Sequence, residues 1–102
     1  MLLKNHRSPS ESVRASREIT IVNELGLHAR PAAAFVRRAN TFRSEIWIVT
    51  ARGKFSALSL IDVMRANLDR GAVVTLEAIG PDAKEAVERL EKLVRELRDS
   101  EP

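Results

Sequence analysis

The 102-residue sequence has no cysteine, no tyrosine and no long apolar run. Without cysteine the chain forms no disulfide, offers no thiolate to a metal ion and contains no cysteine nucleophile. A bilayer span needs roughly 20 apolar residues, and the apolar start Met1-Leu2-Leu3 is too short for a signal-peptide core. These absences favour a cytoplasmic protein that is not inserted in a membrane.

Aromatic side chains are also few, with one Trp and three Phe, so the chain offers few rings on which nucleic-acid bases could stack. The net charge is +3, but the excess lies within residues 1–17, where four basic side chains face one acidic one. The remaining residues carry equal numbers of basic and acidic side chains. We therefore expect no nucleic-acid partner.

The length suits one domain with a modest core. Residues 1–16 contain several Ser and Asn, a proline and scattered charges with no sustained period, which predicts a flexible extension that includes His6. We expect the domain to cover residues 17–98, followed by a short tail, residues 99–102.

Hydrophobic periodicity predicts four strands and three helices in the order βαββαβα. The strands are expected at residues 18–22, 44–50, 54–57 and 72–78. Helices are expected after Gly26, from Ser59, and from Asp82 to about Arg98. Ser59 and Asp62 fit a capping box, in which the serine hydroxyl accepts from a backbone N–H three residues on and the acid reaches back.

The stretch 26–33 concentrates the chemistry of the sequence. Gly26 forms a turn that delivers His28 to the N-cap of an alanine-rich helix, or to the residue just before it. The first N–H groups of a helix have no intrahelical acceptor, so they form an anion site. Arg30 adds a phosphate-binding guanidinium, and Pro31 suits the first helical turn. Because imidazole is a nucleophile near neutral pH, this pattern predicts a histidine that accepts and releases a phosphoryl group.

The run Gly26-Leu27-His28-Ala29-Arg30-Pro31-Ala32 resembles the active-site signature of the histidine-containing phosphocarrier proteins (HPr) of the bacterial phosphoenolpyruvate phosphotransferase system. Residues 59–64, Ser-Leu-Ile-Asp-Val-Met, are similar to the family's regulatory serine motif. The resemblance implies an α+β fold, an open-faced β-sandwich whose four-stranded antiparallel sheet carries three helices on one face.

The resemblance also implies a function in sugar transport or its regulation. His28 would accept a phosphoryl group at Nδ1 from phospho-Enzyme I and pass it to an A-domain, with Arg30 stabilising the phosphate. Ser59 would be a regulatory phosphorylation site for HPr kinase/phosphorylase. The residues implied to contact partners are Leu27, Ala29, Arg37, Leu60, Ile61 and Met64.

A carrier of this kind is phosphorylated by its partners and is not itself an enzyme. We expect a monomer that binds no metal and no cofactor, since the phosphoryl group derives from phosphoenolpyruvate and magnesium serves Enzyme I. Two details separate this chain from many relatives. Asp62 is acidic where a lysine is common, and the interval from Gly53 to Ser59 is one residue shorter than usual.

Two alternatives stay open. The chain could be a regulatory HPr-like module that controls partner proteins in carbon or nitrogen metabolism with little phosphate relay. Leu25-Gly26 resembles the nitrogen-regulatory branch and carriers of many Gram-negative bacteria, so the downstream acceptor is open too. A metal or hydrolytic enzyme is disfavoured, because His28 is the only histidine in the predicted domain and no second ligand has suitable spacing.

Overall fold

In the computed structural model, the described residues are 13–23 and 26–99. Four strands and three helices follow one another as β1 (Arg14–Thr20), α1 (Ala29–Ala39), β2 (Glu45–Thr50), β3 (Gly53–Ser56), α2 (Leu60–Arg65), β4 (Val73–Ile79) and α3 (Ala83–Asp99). This is the predicted βαββαβα order. Within this part of the chain, no helix is both long enough and apolar enough to cross a membrane.

The four strands form one antiparallel sheet in the order β1-β4-β2-β3. Ile19 of β1 lies opposite Val74 of β4, and Leu76 of β4 lies opposite Ile48 of β2. Because side chains alternate along a strand, these residues all point to the same face of the sheet. Helices α1 and α3 pack together over that face, and α2 packs beside α1.

The predicted periodicity of apolar residues holds in α1, α3, β2 and β4. Every third or fourth residue of α1 and α3, and every second residue of β2 and β4, is buried. These buried residues include Ala32, Phe35, Ala39, Ile46, Ile48, Val74, Leu76, Ala78, Ala86, Val87, Leu90 and Val94, while Val36 is partly buried. The sheet face under the helices is therefore the core of the domain.

The first strand begins earlier than the sequence predicts. Residues 14–16 belong to β1, so the extension predicted for residues 1–16 is wrong at that end; residues 1–12 lie outside the described residues. The apolar alternation does not predict this part of the strand, because Arg17, a charged residue, occupies a position on the sheet face that is covered by the helices. Its guanidinium reaches Glu91 at 2.8 Å and Glu88 at 3.8 Å on α3. The strand ends at Thr20, although Ile21 still donates to Ala72.

The start of α3 is anchored to the loop that follows α1. Asp82 occupies the N-cap position, since its carbonyl accepts from the Ala86 N–H at 2.9 Å. Its carboxylate accepts from the Arg43 N–H at 2.9 Å and from the Ser44 hydroxyl at 2.7 Å. The sequence predicts the cap but not these two tertiary bonds, which fix the α1–β2 loop against α3.

The opposite sheet face is open and mixed in character. Trp47 and Val49 are half-buried there, and Val73 is 56% exposed. The Lys54 ammonium lies 5.0 Å from the centre of the Trp47 ring and 3.6 Å from the Glu77 carboxylate. The tryptophan is thus a packed residue of the open face, covered in part by a cation–π contact.

Candidate functional site

His28 is the N-cap residue of α1. Its backbone is extended, with φ −78° and ψ −171°, and its carbonyl accepts the first helical hydrogen bond from the Ala32 N–H at 2.8 Å. The imidazole is half-buried and makes no capping hydrogen bond to its own helix. Neither ring nitrogen of His28 is therefore used to cap the helix.

The first turn of α1, next to His28, contains no acidic residue and has unpaired backbone N–H groups. The first hydrogen bond of α1 runs from the Ala32 N–H to the His28 carbonyl. The N–H groups of Ala29 and Arg30 therefore have no acceptor within α1, and Pro31 has no N–H. A phosphoryl group on His28 would meet two backbone donors and the positive end of the helix dipole.

The loop before His28 is held by backbone contacts to the segment that follows α2. Gly26 has φ +69°, and a side chain there would overlap the Leu68 carbonyl. That carbonyl accepts from the Leu27 N–H at 2.8 Å. The side chain of Leu27 is 5% exposed and packs in the core, so it anchors the loop from beneath. A contact between Leu27 and a partner protein stays a prediction.

Asn23 supports the same loop from the other side. It is fully buried, its carbonyl accepts from the Gly26 N–H at 2.9 Å, and its side-chain amide reaches the Val94 carbonyl at 3.5 Å. These contacts join the loop to the C-terminal half of α3. The sequence does not reveal the supporting roles of Asn23 and Leu68, since neither belongs to a motif. Glu24 and Leu25, between Asn23 and Gly26, lie outside the described residues.

Arg30 and Arg37 are exposed on α1. Within residues 13–23 and 26–99, neither guanidinium makes a hydrogen bond or an ion pair to another side chain. Arg30 is the second residue of the helix, so its backbone N–H and its guanidinium both belong to the His28 end. Arg37 lies in the last turn, about two turns away.

Ser59 caps α2 as predicted. Its hydroxyl accepts from the Asp62 N–H at 3.2 Å, but the Asp62 carboxylate reaches back to the Ser56 N–H, at 3.4 Å, instead of the Ser59 N–H. Asp62 also lies 3.8 Å from Arg65. The short Gly53–Ser59 interval is taken up by a four-residue β3 and a tight turn.

An apolar surface on α2 adjoins the His28 end of the molecule. Leu60, Ile61 and Met64, here called the α2 patch, are 41%, 72% and 43% exposed. Helices α1 and α2 are in contact, and the hydrogen bond from Leu27 to Leu68 joins the His28 loop to the end of the α2 segment. Ala29 is exposed at the start of α1. The structure thus packs the helix that begins after His28 against the helix that carries the exposed α2 patch.

Comparison with known proteins finds the same pattern in one family. A family profile described as "PTS HPr component phosphorylation site" matches residues 15–96. The phosphocarrier protein HPr of Vibrio cholerae is 48% identical over 82 residues, which cover 79% of this chain and 95% of that protein.

Solved structures agree with the sequence relatives. The crystal structure of HPr-C-His from Thermoanaerobacter tengcongensis has a TM-score of 0.80 and 39% identity, and covers 86% of this chain and 99% of that one. A crystal structure described as an HPr dimer from the same organism has a TM-score of 0.66 and 41% identity, and covers 78% and 92% of the two chains. The expected monomeric state of this chain therefore stays a prediction.

Proposed function

Because the chain belongs to the HPr family of phosphocarrier proteins in the phosphotransferase system, we propose that His28 is the residue that carries the phosphoryl group. In this proposal phospho-Enzyme I is the donor and an A-domain is the acceptor. HPr proteins are carriers and not catalysts, so this chain supplies an acceptor atom and its surroundings. The single observation that carries the proposal is His28 at the N-cap of α1, a helix whose first turn has no acidic residue.

The proposed transfer exchanges one N–P bond for another. The lone pair of His28 Nδ1 attacks phosphorus and forms the new N–P bond, while the N–P bond of the donor histidine breaks and its electron pair stays on the donor imidazole. Reversal of the same step with an A-domain residue releases the group. Such in-line transfer depends mainly on positioning and on charge compensation.

Charge compensation in this chain would come from three groups at one helix end. The N–H groups of Ala29 and Arg30 and the Arg30 guanidinium are available to the phosphoryl oxygens. A helix terminus stabilises an anion by about 0.3–1 kcal/mol, and by about 2 kcal/mol when partly buried. This modest value suits a carrier, which must hold the group without trapping it.

Partner docking is proposed at the α2 patch together with Ala29 and Arg37. The patch is apolar and exposed, and the exposed guanidinium of Arg37 would favour acidic partners. Phosphorylation of Ser59 by a kinase would place about two negative charges beside the patch and beside Asp62. We propose that such a modification weakens docking without unfolding the domain. We also propose that the protein acts in the cytoplasm and needs no bound cofactor.

Intact-mass analysis tests the proposal. The protein is incubated with phosphoenolpyruvate, magnesium and Enzyme I, and the expected product has gained one phosphate that is lost at acid pH. His28→Ala should fold normally and gain nothing, while Arg30→Glu should be phosphorylated more slowly. Normal labelling of His28→Ala would refute the assignment. A folded parent protein that gains no phosphate would favour the regulatory-module alternative.

A further inference from the structure

A charged cleft lies between α1 and α3, away from the His28 end of the molecule. It has a volume of about 410 Å³ and is lined by Arg38, Arg89, Lys92 and Glu96. Arg38 is in the last turn of α1, so it lies about 15 Å along the helix axis from His28. The cleft is therefore separate from the candidate phosphoryl site.

Three cations and one carboxylate line this cleft, and most of them lack a counter-charge. Arg89 forms an ion pair with Glu85 at 3.0 Å, outside the cleft. Within the described residues, the side chains of Arg38, Lys92 and Glu96 make no ion pair. Lys92 and Glu96 are four residues apart on α3, a spacing at which Lys and Glu side chains can meet. Both instead line the cleft wall with their charges unpaired.

We propose that this cleft binds a small phosphate ester that carries hydroxyl groups. The guanidinium groups of Arg38 and Arg89 would bind the phosphate oxygens, for which their planar forks are suited, and Lys92 would add a third positive charge. The Glu96 carboxylate, which only accepts hydrogen bonds when ionised, would bind hydroxyl groups of the ester.

The presence of Glu96 and the concave shape favour a small ligand over an acidic protein surface. A carboxylate at the cleft wall repels an acidic partner but suits a ligand with an anionic end and a hydroxylated end. The volume falls in the range of small-molecule sites, roughly 300–1,000 Å³. Inorganic phosphate alone would leave Glu96 unsatisfied and is expected to bind more weakly than its ester.

Amide chemical shifts of the ¹⁵N-labelled full chain, titrated with glucose 6-phosphate, test this inference. Saturable changes are expected at residues 38, 89, 92 and 96, with the amides of Ala29 and Arg30 unmoved. Arg38→Gln and Lys92→Gln should each raise the Kd about tenfold, since a hydrogen bond to a charged group contributes about that much. All four cleft residues are exposed, so the variants should keep the parent spectrum elsewhere.

Arg95→Gln is the matched control, because Arg95 lies on the same helix but pairs with Glu91 outside the cleft. Its Kd should equal that of the parent protein. Parallel titrations use adenosine 5′-monophosphate, inorganic phosphate, glucose and polyglutamate. Binding of either ester supports the proposal. The ester with the lower Kd indicates whether the ligand is a sugar phosphate or a nucleotide.

The proposal would be overturned by the absence of saturable shifts, by shifts centred on the His28 loop, by equal weakening in Arg95→Gln, or by equal affinity for inorganic phosphate and both esters. Shifts at the cleft that appear only with polyglutamate would also overturn it, in favour of an acidic polypeptide partner. None of these outcomes depends on whether His28 accepts a phosphoryl group.

Discussion

Gly26 and Gly71 both have positive φ, but their surroundings differ. A Cβ at Gly26 would overlap the Leu68 carbonyl and come within 2.9 Å of the Asp69 Cα, whereas a Cβ at Gly71 meets nothing within 4 Å. Gly71→Ala should lower the free energy of unfolding by about 1–2 kcal/mol, the conformational penalty alone. Gly26→Ala should cost at least about 2 kcal/mol more, because backbone atoms must move.

Urea unfolding followed by circular dichroism measures both glycine variants. Gly26→Ala should also slow phosphate acceptance, since the displaced loop carries His28, while Gly71→Ala should accept phosphate at the parent rate. Equal stability losses in the two variants would contradict this reading of the Leu68 contact.

At the same scale, the sequence predicts some roles and conceals others. Gly26 indicates a turn and Pro31 a first helical turn, so the N-cap position of His28 between them could be predicted from local chemistry. The burial of Leu27 could not, because an apolar residue between a turn and a cap can face either way. Its direction is decided by the hydrogen bond from its N–H to Leu68, a contact distant in sequence.

Among the helices, α2 is short and depends on its cap. Ser59→Ala removes the hydroxyl that accepts from the Asp62 N–H and should cost about 1 kcal/mol in unfolding free energy. Ser59→Asp keeps a capping oxygen and should stay within about 0.5 kcal/mol of the parent. It should nevertheless slow transfer from Enzyme I, because it adds negative charge beside the α2 patch.

Ser16→Ala is the control for this pair, since Ser16 is exposed on β1 and caps no helix. It should leave both stability and transfer rate unchanged. If Ser59→Asp were phosphorylated on His28 as fast as the parent, the proposed docking role of the α2 patch would fail.

The link between α3 and the α1–β2 loop depends on the charge of Asp82. Burial raises its pKa, but hydrogen bonds from the Ser44 hydroxyl and the Arg43 N–H outweigh burial, so the net pKa is lowered. A lowered pKa stabilises the fold above the ordinary value, about 3.9, and the stabilisation is lost as the pH falls through the folded-state pKa. Asp82→Asn should therefore cost about 1.5–3 kcal/mol at pH 7 and progressively less in acid.

Asp69→Asn provides the comparison for Asp82, because Asp69 is exposed and its carboxylate forms no ion pair within the described residues. Its stability should follow that of the parent from pH 7 down to pH 3 in thermal unfolding. If Asp82→Asn were less stable than the parent by the same amount at every pH in that range, the shape of the side chain, and not its charge, would account for its contribution to stability.

Sequence patterns predict elements well where one face is uniformly apolar, as in β4 and α3. They fail for the first half of β1, where Arg17 occupies a position that faces the helices. Only the folded chain brings Glu88 and Glu91 to that arginine. The same holds for Asp82, whose cap is a local signal but whose partners, Arg43 and Ser44, come from another part of the chain.

For the molecule as a whole, the earlier start of β1 moves the beginning of the folded domain from residue 17 to about residue 13. A chain that begins at Arg17 loses the bond from the Gly80 N–H to the Val13 carbonyl, at 2.9 Å, and three cross-strand pairs between residues 14–16 and β4. Compared with a chain that begins at Val13, it should lose at least about 2 kcal/mol of unfolding free energy. Urea midpoints of the two shortened chains measure the difference, and equal midpoints would return the boundary to residue 17.

The pairing of β1 with β4 also has a consequence for synthesis of the protein. Ile19 finds its partner Val74 only after most of the chain has been made, and Asn23 reaches the Val94 carbonyl later still. The loop that carries His28 lies between these two early residues and α1. A chain still on the ribosome cannot complete that loop, because the residues that order it, Leu68 and Val94, come from its C-terminal half. If His28 carries the phosphoryl group as proposed, an incomplete chain should therefore accept no phosphate, because the loop that presents His28 is not yet held in place.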